Sequence, residues 1–108
     1  MNIQEKLELT LNNIGDTPDE IAAFLEGQGV KGYRGAAYVC VLANYLRSVF
    51  DLSTSVGREE VVLREQLEGR SASGHPNFRI VARLRLPNHV KKFTTGFDSG
   101  NFPTLVNS

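Results

Sequence analysis

Between Ala36 and Phe50 only Asn44, Arg47 and Ser48 are firmly polar. Tyr38, Val41, Leu42, Tyr45, Leu46 and Val49 recur at helical spacing as one stripe, and the back of the same helix is nearly as apolar. A helix that is hydrophobic most of the way round is packed on several sides. The spacing therefore predicts a central core helix over 36–49, around which the rest of the chain must be arranged. With 108 residues the chain is long enough for one such core and too short for two comfortable ones, so a single domain over 1–108 is expected.

Two helices are expected ahead of it. In residues 2–13, Leu7, Leu9 and Leu11 alternate as in a strand, whereas Ile3, Leu7, Leu11 and Ile14 recur as in a helix. The abundance of Gln, Glu, Lys and Leu favours helix, with Asn12, Asn13 and Gly15 to stop it. Thr17, Pro18 and Glu20 then read as a helix start: a cap for free N–H groups, a preset first φ, and a carboxylate that reaches back. Ile21, Phe24 and Leu25 form its apolar side, Gly27 and Gly29 end it, and Val30 folds back.

Beyond Asp51 the pattern turns to β. Leu52–Val56 reads as a strand, and Glu60–Leu67 as a strand or, on its Glu, Leu, Gln and Arg content, a helix. Phe78, Ile80, Ala82, Leu84 and Leu86 alternate with Arg79, Val81, Arg83 and Arg85, which predicts a half-buried antiparallel strand with the first set inward. The intervening run 69–77 has loop composition. Pro87 opens a last helix with Val90, Phe93 and Phe97 on one side, and the tail Phe102 to Val106 packs on the body or on a neighbour. The expected fold is α+β: three N-terminal helices, a small antiparallel sheet and a C-terminal helix. Its core is expected from Leu25, Val41, Leu42, Tyr45, Leu46, Ile80, Leu84, Val90, Phe93 and Phe97.

Lys and Arg number 12 and Asp and Glu 12, a formal net charge of zero that argues against a protein coating a polyanion. No apolar run nears the roughly 20 residues that span a bilayer, and Met1-Asn2-Ile3-Gln4-Glu5 lacks the basic-then-apolar order of a secretion signal. A cytoplasmic setting without membrane contact is expected. Cys40 is the single cysteine, so no intrachain disulfide or multi-cysteine zinc site can form, and His75 and His89 lack the spacing of paired ligands. No metal or cofactor is expected.

Gly27-Gln28-Gly29-Val30-Lys31-Gly32 matches G-x-G-x-x-G by letter, with Asp51 about where a ribose-binding acid would fall. A helix rather than a strand enters these glycines, so they read as its stop signal. Lys31 and Arg34, just before the third helix, are secondary anion-binding candidates at its free N–H groups; an ordinary surface turn is the alternative. Cys40 falls early in that helix, on the side of Ala36, Asn44 and Arg47. A helix start lowers a thiol pKa, which would suit a thiol-dependent enzyme, but no base can be placed beside it, and a small buried residue is the simpler reading. No catalytic residues are assigned.

The strongest functional signal is a charge asymmetry. From Gly69 to Phe97 there are six basic residues (Arg70, Arg79, Arg83, Arg85, Lys91, Lys92) and no acidic one. Strict alternation would put Arg79, Arg83 and Arg85 on one strand face, a row of forked donors for phosphate or carboxylate. The alternative is a solvated face neutralised by Glu60, Glu65 or Glu68 across the hairpin. Aromatics for base stacking are few, so the leading expectation is a protein partner with an acidic surface. A nucleic acid or nucleotide on the same segment is the second, and self-association stays open.

Thr17-Pro18-Asp19-Glu20-Ile21-Ala22 with Gly29-Val30-Lys31-Gly32, Cys40-Val41-Leu42-Ala43-Asn44-Tyr45-Leu46, and Leu86-Pro87 through Phe97-Asp98-Ser99-Gly100 with Phe102-Pro103-Thr104-Leu105 form three pieces. Together they resemble small uncharacterised proteins of actinobacteria and their phages. There the middle motif is Cys-Pro-Leu-Ala-x-Tyr-Leu, and here Val41 replaces the proline. The resemblance spans most of the chain and implies a compact α+β domain in a bacterial or phage setting. It brings no activity and no catalytic residues.

Overall fold

In the computed structural model, which describes residues 2–70, 74 and 76–107, the first two helices each begin on a side-chain cap. Asn2 Oδ1 accepts the Glu5 N–H at 2.8 Å ahead of α1 (Ile3–Asn13). Thr17 Oγ1 accepts the Glu20 N–H at 3.2 Å ahead of α2 (Pro18–Gly27), while Glu20 Oε1 reaches back to the Asp16 N–H at 2.9 Å. These contacts occupy donors that a helix start leaves without partners. α1 buries Leu7 and Leu11, as its helical spacing indicates.

The third helix, α3 (Val41–Phe50), starts at Val41 rather than at Ala36. Residues 36–40 share its apolar composition, but two polar side chains of α3 hold them in a loop. Asn44 Nδ2 donates to the carbonyls of Lys31 at 2.8 Å and Val39 at 3.2 Å. The Arg47 guanidinium donates to the Tyr38 carbonyl and, at 2.7 Å, to Asn44 Oδ1. The carbonyls of Tyr38 and Val39 are thus drawn away from the N–H groups a helical ladder would have offered them. Tyr38, expected in the buried stripe, is 57% exposed, whereas Val41, Leu42 and Leu46 are fully buried. Val41 is the first residue of the helix, a position whose N–H has no partner within the helix. Asp51 ends α3 in the left-handed conformation, its N–H donating to the Arg47 carbonyl at 2.8 Å.

Three antiparallel strands follow in the order β1 (Ser53–Val56), β2 (Glu60–Arg70), β3 (Pro76–Arg85), which settles 60–67 as strand. Val61 lies opposite Leu84 and Leu63 opposite Ala82, but the next pair is Arg64 with Ile80, leaving Val81 as an unpaired bulge. Residues directly opposite share a face, so the core face carries Val56, Val61, Leu63, Ala82 and Leu84. Past the bulge the alternation of β3 is inverted. Ile80 and Phe78 therefore fall on the outer face and are 46% and 47% exposed, against the expectation that they point inward. Arg79 lies opposite Glu65, two residues on from Leu63, and so turns to the side away from Arg83 and Arg85. The expected row of Arg79, Arg83 and Arg85 on one face does not form.

The last helix, α4 (Asn88–Asp98), buries Val90, Phe93 and Phe97 and packs on α2. The chain is α+β, three helices, a sheet and a helix in that order. Of the expected core, Tyr45 and Leu84 are half-buried and only Ile80 lies outside. The tail packs back on the body: Phe102 stacks on Phe93 with ring centroids 5.2 Å apart, and the Gly32 N–H donates to the Leu105 carbonyl at 2.9 Å. Among the described residues no helix is long and apolar enough to cross a membrane.

Gly32 lies against the start of α3 so closely that a Cβ there would come within 2.2 Å of Val41 N, a backbone atom. Gly27, at the end of α2, has nothing within 4 Å of such a Cβ and no positive φ. Gly32→Ala should cost about 3 kcal/mol or more in urea unfolding, at or above the upper end for overpacking. Gly27→Ala should be neutral or stabilising by up to ~1 kcal/mol, as glycine is costly within a helix. Equal effects of the two substitutions would contradict this packing of residue 32 on α3.

Candidate functional site

All the helical core is assembled on one side of the sheet. The other side presents Ser53 and Ser55 from β1, Glu60, Val62 and Arg64 from β2, and Phe78, Ile80, Arg83 and Arg85 from β3. None of these belongs to the core cluster, although Val62 at the centre is only 4% exposed. Arg83 Nε approaches Glu60 Oε2 at 3.3 Å, and Arg64 Nη1 donates to Ser55 Oγ at 3.1 Å. Among the described residues Arg85 has no carboxylate in salt-bridge contact. Among the described residues, three guanidinium groups thus share this face with the one carboxylate of Glu60, around an apolar centre of Val62, Ile80 and Phe78. An apolar centre with a charged rim is the anatomy of a protein interface.

Of the cations singled out from the sequence, the structure brings Arg83 and Arg85 together and adds Arg64, which alternation along Glu60 to Arg64 could have placed there. Arg79 is paired with Glu65 on the other side. Lys91 Nζ, on α4, is bound to Glu59 Oε2 at 2.7 Å, and that hydrogen bond holds the Glu59 carboxyl below its ordinary range. Lys92 is exposed on α4, and the side chain of Arg70 lies outside the described residues, as does His75. Arg34 Nε donates to the Asp98 carbonyl at 3.0 Å and the Gly35 N–H to Asp98 Oδ1 at 2.9 Å, so Arg34 serves to fasten its loop to α4. With Gly32 against Val41 N and the Cys40 thiol filling the cap, the start of α3 is closed by its own chain rather than open to an anion.

A cleft of about 590 Å³ lies between this loop, the β1–β2 turn and α4, lined among others by Cys40, Val56, Arg58, Thr94 and Asp98. Cys40 is the N-cap residue of α3: the Ala43 N–H donates to its Sγ at 3.4 Å. The thiol is 6% exposed, and burial raises its pKa. His89 is not in the cleft; its Nε2 lies 3.4 Å from the Leu11 carbonyl. Every buried side-chain polar atom among the described residues has a partner, and no three potential metal ligands cluster there. Among the described residues the geometry is that of a structural cap, with no histidine beside the thiol and a pKa raised rather than lowered.

A thiol pKa raised by folding has a definite sign in stability. Below the ordinary value of 9.0 both states hold the proton; as pH rises through that value the unfolded chain releases it first, and stability falls. Urea midpoints should therefore decline above about pH 9. Cys40→Ser should abolish this early decline, leaving the part due to Tyr45, whose pKa burial also raises from 10.0. A disulfide reagent should label Cys40 slowly in native protein and at once in urea; rapid labelling below pH 7 would contradict its burial. Compared with family models, with curated proteins and with solved structures, the chain matches none, and its functional reading rests on its own geometry.

Proposed function

We propose that this is a small binding protein that contacts an acidic partner protein through the open face of its sheet. The observation that carries the reading is the exposed pair of Ile80 and Phe78 beside the buried Val62, rimmed by Arg64, Arg83 and Arg85, with Glu60 as the one carboxylate among the described residues of the face. A lone exposed apolar side chain means little, but two side by side on one strand, next to like charges, favour a partner that supplies both apolar surface and carboxylates. Arginine suits the task because its fork meets a carboxylate in two places. The setting that goes with this reading is the cytoplasm of a bacterial cell, as host or as phage-infected cell, on the strength of the family resemblance. A nucleic acid on the same face is the second reading, favoured by the exposure of Phe78 beside the arginines; one aromatic is a thin platform for stacking.

The register supplies an internal control. Arg83→Gln with Arg85→Gln removes two charges from the face, whereas Arg79→Gln removes one from the other side of the sheet. In affinity capture from source cells, one protein should be retained by wild type and by Arg79→Gln and weakened roughly tenfold by the double substitution, about 0.7 kcal/mol per rim charge. The salt dependence of its binding should become shallower in the double variant. Equal retention by all three proteins would remove the face as the binding surface, and a nucleic acid retained in the same pattern would favour the second reading.

A further inference from the structure

Beside Arg83 on β3, and beside Thr54 and Val56 on β1, the outer edges of the sheet are already hydrogen-bonded by the chain itself. On β3 the side chain of Gln4 stands in for a neighbouring strand: Nε2 donates to the Arg83 carbonyl at 2.7 Å and Oε1 accepts the Arg83 N–H at 3.1 Å. On β1 the Val56 N–H donates to the Ala37 carbonyl at 2.8 Å, and the Thr54 carbonyl accepts from Arg47 at 3.4 Å. A partner that adds a strand beside Arg83, or beside Thr54 and Val56, meets backbone groups that are taken. What is left to it is the face, which offers side chains only.

Where all three strands run side by side, over Val61 to Arg64 of β2, the face has the width of one helix. Three strands about 4.8 Å apart set the outer two about 10 Å from each other, close to the diameter of an α-helix with its side chains. Along β3 the exposed row is divided, Phe78 and Ile80 beyond the bulge and Arg83 and Arg85 before it. We propose that the partner presents an acidic amphipathic helix, which lies on this face with its apolar side against Ile80 and Phe78 and its carboxylates against Arg83 and Arg85. The inference rests on the reading of the face as the binding surface and adds the form of its occupant.

Random peptides of about 15 residues, long enough for four helical turns, displayed on phage and selected on the full chain, test it. The expected winners carry an excess of Asp and Glu with apolar residues at spacings of three and four. As synthetic peptides they become helical on binding and bind roughly tenfold more weakly to Ile80→Asp and to Arg83→Gln/Arg85→Gln. Ile80 is exposed enough that its replacement should keep the thermal midpoint, and Phe78→Ser repeats the test should it not. Acidic winners that alternate apolar and polar residues, or stay extended when bound, while still losing affinity to both variants, would overturn the helix and leave the face standing. Winners indifferent to both variants would overturn the face and the helix together.

Discussion

Val81 has no partner on β2, and which side chains each face of the sheet presents turns on that one residue. In a strand the side chains alternate with a period of two, so a single inserted residue exchanges the two faces for everything beyond it. Before the insertion, Ala82 and Leu84 meet the helical core and Arg83 and Arg85 meet solvent. After it, Ile80 and Phe78 appear beside the arginines, and Arg79 passes to the opposite side, where Glu65 receives it. Without the bulge the β3 row of the outer face would read Arg79, Val81, Arg83 and Arg85, three cations to one small apolar residue. With it, the face acquires an apolar half, which changes an electrostatic patch into a surface that can also exclude water.

The helical side depends on a second constraint, the way α3 is begun. Asn44 and Arg47 break the apolar surface of the core helix because their side chains hold the preceding loop by its carbonyls. Gly32 then fits where no side chain could, and its backbone ties the tail of the chain to the same spot through Leu105 and Asn107. The cleft beside Cys40 is thus enclosed by structural fastenings, with Asp98 gripping the Gly35 N–H and the Arg34 side chain reaching the Asp98 carbonyl. This arrangement assigns the polar residues near α3 to holding the fold and leaves the sheet face as the surface whose polar groups are not so used.

The element order was legible because most of its signals are local. Thr17 and Pro18 start a helix by their own chemistry, and the stripes of Leu7 and Leu11 or of Val90, Phe93 and Phe97 need only helical periodicity. Two misreadings have the same origin, a pattern overruled by contacts distant in sequence. The apolar run at Ala36 to Val39 looks helical until Arg47 and Asn44 claim its carbonyls. The alternation from Phe78 to Leu86 looks unbroken, and nothing in the letters around Val81 marks a bulge, since the register is set by pairing with β2. The basic segment was visible in composition. Its division between two faces was not, because that division follows from the same register, and so did the exposure of Phe78 that strengthens the patch.

The arginines of the face also explain how a sheet covered by helices on one side only keeps its other face in water. Val62 is buried without help from any helix, and its neighbours in the register are Ser55 and Arg83, with Arg64 two residues along the strand. Long side chains of this kind can lie over apolar surface while their charged ends stay hydrated. The Arg83–Glu60 contact involves side chains about half exposed, and a pair of that kind contributes little to stability. A partner carboxylate can take the place of Glu60 at small cost, and among the described residues Arg85 has no carboxylate in salt-bridge contact to release. The same groups that cover the apolar centre in the free protein are therefore those whose exchange uncovers it, so charge recognition and apolar contact would develop together as a partner settles on the sheet.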